Sequence, residues 1–188
     1  MPALTVNAAR VPHSPERIVL ELFMVFDPAL VEAAKAVLAV AKIRKLSIVT
    51  AESCTSGLLA SVLSEAPGAA ELLEGGFVTY TKRNKTLALG VPEELLQTKG
   101  AVCEEVARAM AEGALERSTA DLSVAITGVA GPAPDPDGNP VGLVCISVAR
   151  GGYRTHSFQK SYGDLGRDRV RERAMQDALV ALREAAQR

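Results

Sequence analysis

"IVTAESCTSGLLASVL" (Ile48–Leu63) changes character twice. It opens as a β-branched apolar run, passes through a corner of small hydroxyl and thiol residues, and closes on apolar residues at helical spacing. Together with "LS" before it, the first part reads as a buried strand over residues 46–51, and residues 57–65 read as a helix that stops before Pro67. A strand feeding directly into a helix is the unit of a layered α/β domain, and the polar corner between them faces the end of the sheet where ligands gather.

The same alternation continues on both sides. Upstream, "DPALVEAAKAVLAVAKIRK" offers Asp27 as an N-cap, Pro28 at the first helical position, and Leu30, Val31, Ala34, Val37, Leu38 and Ala41 at helical spacing. Downstream, "GFVTYT" (76–81) reads as a strand and "KRNKTLALG" (82–90) as a short helix ended by Gly90. "VPEELLQ" repeats the Pro-first signal. "CEEVARAMAEGALERS" (103–118) is an amphipathic helix with Val106, Met110, Ala114 and Leu115 on one face. "DLSVAIT" (121–127) is a second buried strand, and it runs into the long Gly/Pro-rich loop "GVAGPAPDPDGNP" (128–140). "VGLVCISVAR" and "YRTHSFQKSY" flank Gly151-Gly152 as a hairpin with a two-residue loop, and a closing helix is expected near 168–186. The pattern predicts an α/β fold of three-layer α/β/α type, with a mixed, mostly parallel sheet over residues 27–188. Residues 1–26 read as an N-terminal extension, partly disordered.

Composition narrows the function. The 188 residues carry 21 Lys and Arg against 22 Asp and Glu, a net charge of −1. Neither direct nucleic-acid binding nor attachment to an acidic membrane is favoured by that balance. The apolar stretch Ile18–Phe26 is interrupted by Glu21 and is too short to span a bilayer. The cysteines Cys54, Cys103 and Cys145 form no CxxC or Cys/His cluster, so reduced thiols and a cytoplasmic location are expected, without a structural metal.

Five blocks then occur in order: "TAESCTSG" (50–57), "GGFVTYTKRNK" (75–85), "LGVPEELLQTKGAVCEEVARAMAEGA" (89–114), "ITGVAGP" (126–132) and "PVGLVCIS" (140–147). Together they resemble the CinA C-terminal domain family, which includes nicotinamide-nucleotide amidohydrolases (NMN deamidases), over roughly residues 28–186. The resemblance implies a three-layer α/β/α domain, assembly as a homo-oligomer (dimer or larger), and hydrolysis of nicotinamide mononucleotide (NMN) to nicotinate mononucleotide and ammonia, a step of NAD recycling that needs no metal or other cofactor. It places the nucleophile on Ser53 and its helpers on Lys85 and Tyr80. The binding motif falls on Thr127 and Gly128 within Thr127–Pro132, and an arginine on Arg167. Glu52, Cys54 and Thr55 complete the substrate-binding set.

The chemistry is coherent on its own terms. Amide hydrolysis needs a nucleophile, a base and oxyanion donors. On spacing alone Ser53 and Thr55 read as helix caps sooner than as catalysts, with Thr55 the better cap, and the N–H groups of the first helical turn are candidate oxyanion donors. His13 and His156 lie outside the polar corners, so a Ser-His-Asp triad is poorly supported. Lys85 serves as base if burial and the positive charge of Lys82 and Arg83 lower its pKa, although Lys82-Arg83-Lys85 also reads as a solvated helix face. Tyr80 relays a proton, holds substrate, or merely packs. Glu52 orients Lys85 or binds substrate hydroxyls, yet strand alternation sets it opposite Ser53. Cys54 is the rival nucleophile. Among Arg167, Arg169, Arg171 and Arg173, one or more would hold a 5′-phosphate.

Three departures from the family pattern stand out. Ser56 replaces a glycine and would crowd the oxyanion corner. "APDPDGN" replaces a loop with a Gly pair and a lysine, putting Asn139 at the lysine. "GDLGRDR" is two residues longer than the usual Gly-Asp-Arg. These departures keep open the alternative of a non-catalytic pyridine-nucleotide-binding or interaction module.

Overall fold

The computed structural model describes residues 26–188. The expected 1–26 extension, with His13, lies outside the described residues apart from Phe26.

Asp27 begins the first helix as its sequence suggests. Its carboxylate accepts the Ala29 N–H at 2.7 Å, and Pro28 occupies the first turn of α1 (Pro28–Arg44). The chain then alternates through β1 (Ile48–Glu52), α2 (Leu58–Ser64), the single turn α3 (Ala69–Leu72), β2 (Leu73–Val78), α4 (Lys82–Leu89), α5 (Glu93–Thr98), α6 (Glu104–Glu116) and β3 (Leu122–Gly128). β4 (Leu143–Arg150), β5 (His156–Ser161) and α7 (Arg167–Gln187) complete the described elements.

The strands form one mixed sheet in the order β2-β1-β3-β4-β5. β1 pairs parallel with both β2 and β3; β3–β4 and β4–β5 are antiparallel. The carboxyl ends of the three parallel strands therefore lie side by side. Pairing runs past the strand ends, where Ser53 N–H donates to Ile126 O at 2.9 Å and Thr79 N–H donates to Glu52 O at 2.8 Å. The hairpin between β4 and β5 is present, but its loop is longer than the expected two residues. Val148 pairs with His156, and Gly151–Thr155 make the connection. The last two residues of β4, Ala149 and Arg150, pair only with β3.

Alternation along the buried strands gives the sheet two unlike faces. One carries Ile48, Leu122, Val124, Ile126, Val144, Ile146 and Val148, and packs against α1, α2 and α7. The other carries smaller side chains, among them Val49, Ala51, Ala125 and Ala149, and packs against α4, α5 and α6. Ser123, on this small face, donates its hydroxyl to Ala111 O of α6 at 2.7 Å. The two layers make the α/β/α sandwich that the sequence predicts.

Gly113 matters most to the site's placement. It lies inside α6, and a Cβ there would collide with the Leu89 carbonyl at the end of α4. Its absence lets α4 lie directly on α6, and α4 carries Lys85. Gly113→Ala should therefore destabilise the protein by about 2 kcal/mol through overpacking, against the gain of about 1 kcal/mol that helix propensity alone would give. Urea unfolding measures the sign.

Candidate active site

The polar corner is organised by a carboxylate. Glu52, last residue of β1, is fully buried on the α2 side of the sheet. Its Oε2 accepts the N–H groups of Gly57 at 2.9 Å and Leu59 at 3.1 Å, and its Oε1 accepts the Ala60 N–H at 2.9 Å and the Thr50 hydroxyl at 3.0 Å. A carboxylate is favourable at a helix N-terminus, where unpaired N–H groups and the helix dipole both meet it. This corrects three expectations. Glu52 caps α2, and both its oxygens are engaged there instead of on Lys85, which bonds Ser53 and Thr79. Thr55 is not the cap; it is fully buried, and its hydroxyl has no partner among the described residues. The first-turn amides are engaged by Glu52, which removes them as oxyanion donors.

Because side chains alternate, fixing Glu52 toward α2 sends Ser53 toward α4. There Lys85 Nζ lies 2.8 Å from Ser53 Oγ and donates to the Thr79 carbonyl, also at 2.8 Å. Lys85 is 0% exposed and Ser53 8%. α4 presents the lysine because Thr81 caps it through the Asn84 N–H at 3.1 Å, and Gly90 ends it in the left-handed conformation. Burial pushes the Lys85 ammonium down to about 8, and the neighbouring Cys54 opposes the shift weakly. The expected help from Lys82 and Arg83 plays no part. Lys82 reaches away to Asp137, at 2.6 Å.

Cys54 is buried and its thiol is pushed up to about 11 by desolvation, partly offset by Arg171 and Lys85. A thiol so raised is a poor nucleophile at neutral pH. Ser56 takes φ +54 and is exposed; its hydroxyl donates to Ser53 O at 3.2 Å. It is not among the residues lining the cleft, so the expected crowding does not occur.

A cleft of about 510 Å³ opens over Ser53 and Cys54. Tyr80, just beyond β2, is 59% exposed at its rim, and its phenol oxygen accepts from Arg167 at 3.4 Å. Arg167, the first residue of α7, also donates to Gly131 O at 2.7 Å. Thr127 and Gly128 line the cleft from the end of β3. The Thr127 hydroxyl is committed to Ala101 O at 2.8 Å, and a Cβ on Gly128 would meet Val144 at 2.7 Å and Leu143 O at 2.8 Å. Ser53, Cys54, Tyr80, Thr127, Gly128 and Arg167 thus converge on one cleft, with Lys85 beneath it; Glu52 and Thr55 stand outside the lining.

Sequence reasoning missed the part that three participants play. The Thr79 carbonyl is a backbone atom and carries no residue-type signal. Arg171 Nε donates to Cys54 O at 2.7 Å, steadying the turn after Ser53, but in the sequence it is one arginine among four. Asp137 joins the loop to Lys82 across 55 positions.

The fold and this corner define a class: an α/β/α domain with a buried serine–lysine pair at the carboxyl ends of its parallel strands. Within it, the chain belongs to the CinA C-terminal domain family, whose model matches residues 31–186. A CinA-like protein of Akkermansia muciniphila is 44% identical over 161 residues, covering 86% of this chain and 39% of that protein. A CinA-like protein of Mycolicibacterium gilvum is 48% identical over 141 residues, covering 74% and 33%. The chain thus spans between 33% and 39% of the length of these curated relatives. Among solved structures, the competence/damage inducible protein CihA of Agrobacterium tumefaciens aligns with a TM-score of 0.83 at 38% identity, over 88% of this chain and 100% of that one. A CinA superfamily protein of Escherichia coli aligns with a TM-score of 0.78 at 32% identity, over 87% and 94%. No described helix is long and apolar enough to cross a membrane.

The buried lysine sets a stability trade-off. Its folded-state pKa of about 8 lies below the ordinary 10.5. Below pH 8 both folded and unfolded chains hold the proton, and the full penalty of burying the ammonium applies, about 3 kcal/mol. Between pH 8 and 10.5 the folded state sheds the proton first, so stability rises with pH. Lys85→Met should therefore raise Tm at pH 7, and its advantage over the parent should shrink as pH passes from 8 to 10.5. Thermal melts across that range read both effects.

Proposed function

We propose that the chain is an amidohydrolase that converts NMN to nicotinate mononucleotide and ammonia. The observation that carries the reading is the 2.8 Å contact between Ser53 Oγ and a buried Lys85 whose ammonium is pushed down to about 8. A neutral amine in this position has two N–H donors and one lone pair. Thr79 O takes one donor, and the lone pair is free for the serine proton.

Ser53 Oγ attacks the carboxamide carbon while Lys85 Nζ takes its proton. The tetrahedral oxyanion forms beside the backbone N–H groups of Cys54 and Thr55, neither of which donates to a backbone carbonyl among the described residues. Lys85 then gives the proton to the amide nitrogen, the C–N bond breaks, and ammonia leaves. Water, deprotonated by Lys85, cleaves the resulting ester and frees the acid. Tyr80 and Arg167 hold the substrate at the rim. The carboxamide and pyridine nucleotide come from the family resemblance; the Ser–Lys geometry supports hydrolysis of an acyl bond.

The test is ammonia release from NMN. Turnover should rise with pH to a plateau above about 8, following the Lys85 titration. Ser53→Ala and Lys85→Met should lower kcat by at least about a hundredfold, whereas Cys54→Ala should keep most of it. Folded protein that releases no ammonia from NMN would sink the reading, and a dead Cys54→Ala beside an active Ser53→Ala would overturn the nucleophile. A thermal shift by pyridine nucleotides without turnover would favour a binding module instead.

A further inference from the structure

The charges lining the cleft are cancelled before a substrate enters. Among the described lining residues they are two cations, Lys82 and Arg167, and two anions, Asp135 and Asp137. Lys82 Nζ donates to Asp137 Oδ1 at 2.6 Å, and Asp137 Oδ2 accepts the Ala101 N–H at 3.1 Å. Both oxygens of Asp137 are thus held, and the Lys82 charge is spent inside the protein. The hydrogen bond from Lys82, with the one from Ala101, keeps the Asp137 carboxyl below its ordinary range, so the pair is ionised at neutral pH. Asp135 is held within its own loop by the backbone N–H and side-chain amide of Asn139, at 2.8 and 2.9 Å.

Arg167 is the cation left among the described lining residues. Two of its N–H groups are engaged by Gly131 O and the Tyr80 phenol. A phosphate monoester carries about −1.5 to −2 charges at pH 7 and is bound tightly by converging cations. Here one lining guanidinium remains to meet it, because Lys82 is paired with Asp137. An N-ribosyl pyridinium without phosphate is itself a cation, and Asp135, which pairs with no cation among the described residues, favours it.

We propose that this cleft accepts pyridinium N-ribosides as a substrate class whether or not they carry the 5′-phosphate, and that Asp137 is the specificity-determining residue because it takes Lys82 out of phosphate recognition. The proposal rests on the amidase reading and adds to it the second substrate and the residue that admits it.

The experiment compares kcat/KM for ammonia release from NMN and from nicotinamide riboside. A site built around a substrate's polar group rejects the analogue lacking it by about 10⁴–10⁵-fold; here the expected preference for NMN is below about tenfold. Asp137→Asn keeps an oxygen for the Ala101 N–H, removes the anion and releases Lys82. It should raise the NMN preference by about tenfold or more, through a lower KM for NMN. A parent preference for NMN above about tenfold overturns the proposal, and this measurement needs no variant. An unchanged ratio in folded Asp137→Asn overturns the role of Asp137. Ammonia from NMN alone defeats this inference and leaves the amidase reading standing; ammonia from neither defeats both.

Discussion

A buried carboxylate holds this site together. Glu52 receives three backbone N–H groups of the Gly57–Ala60 turn and one hydroxyl, so the strand end and the helix start form a single unit. Such a network is strong because it is complete; in a low-dielectric interior each missing partner would cost the desolvation of a charged group. With Glu52 fixed on one face of the sheet, chain alternation leaves Ser53 no choice but the other. Ser53 is aimed by a residue that itself stays outside the cleft lining.

The second constraint is that the buried lysine is costly to keep. A lysine surrounded by Cys54, Ser53 and Thr79 is poised near neutrality because its ammonium is poorly solvated. That is the property general-base chemistry requires and the one a stable core would avoid. The fold holds Lys85 there by close packing, with α4 seated on α6 at Gly113 and capped at both ends.

Much of this was legible in the sequence. Asp27-Pro28, Gly90 and the apolar spacing of α1 and α6 mark their elements because local caps and one-sided burial dictate them. The mixed sheet and its two-layer cover follow from strands alternating with helices and closing on a hairpin, whereas the strand order is set by pairings between distant segments. Ser53, Lys85, Tyr80, Thr127, Gly128 and Arg167 were named from a family pattern, and they meet although they lie on β1, α4, β2, β3 and α7 ends. What residue types could not show was direction. Glu52 takes the capping role expected of Thr55 because an acid five positions before a glycine turn can fold back onto the helix, which spacing rules for caps do not cover. The hairpin loop was misjudged because glycine pairs suggest a tight turn, whereas the β4 end is claimed by β3 instead of β5. The Lys82–Asp137 pair joins residues far apart in the chain and has no local signature.

The unlike faces of the sheet have a consequence for how such a chain can diverge. The bulky face toward α1 and α7 is a mosaic of Ile, Leu and Val, where one side chain can shrink as its neighbour grows. The face toward α6 is mostly alanine and serine beside Val49, and at Gly113 of α6 the Leu89 carbonyl leaves no room even for a Cβ. Substitutions should accumulate readily behind the sheet and scarcely in front of it. The layer that positions Lys85 is thereby shielded from drift by steric poverty, independently of any selection on the reaction itself.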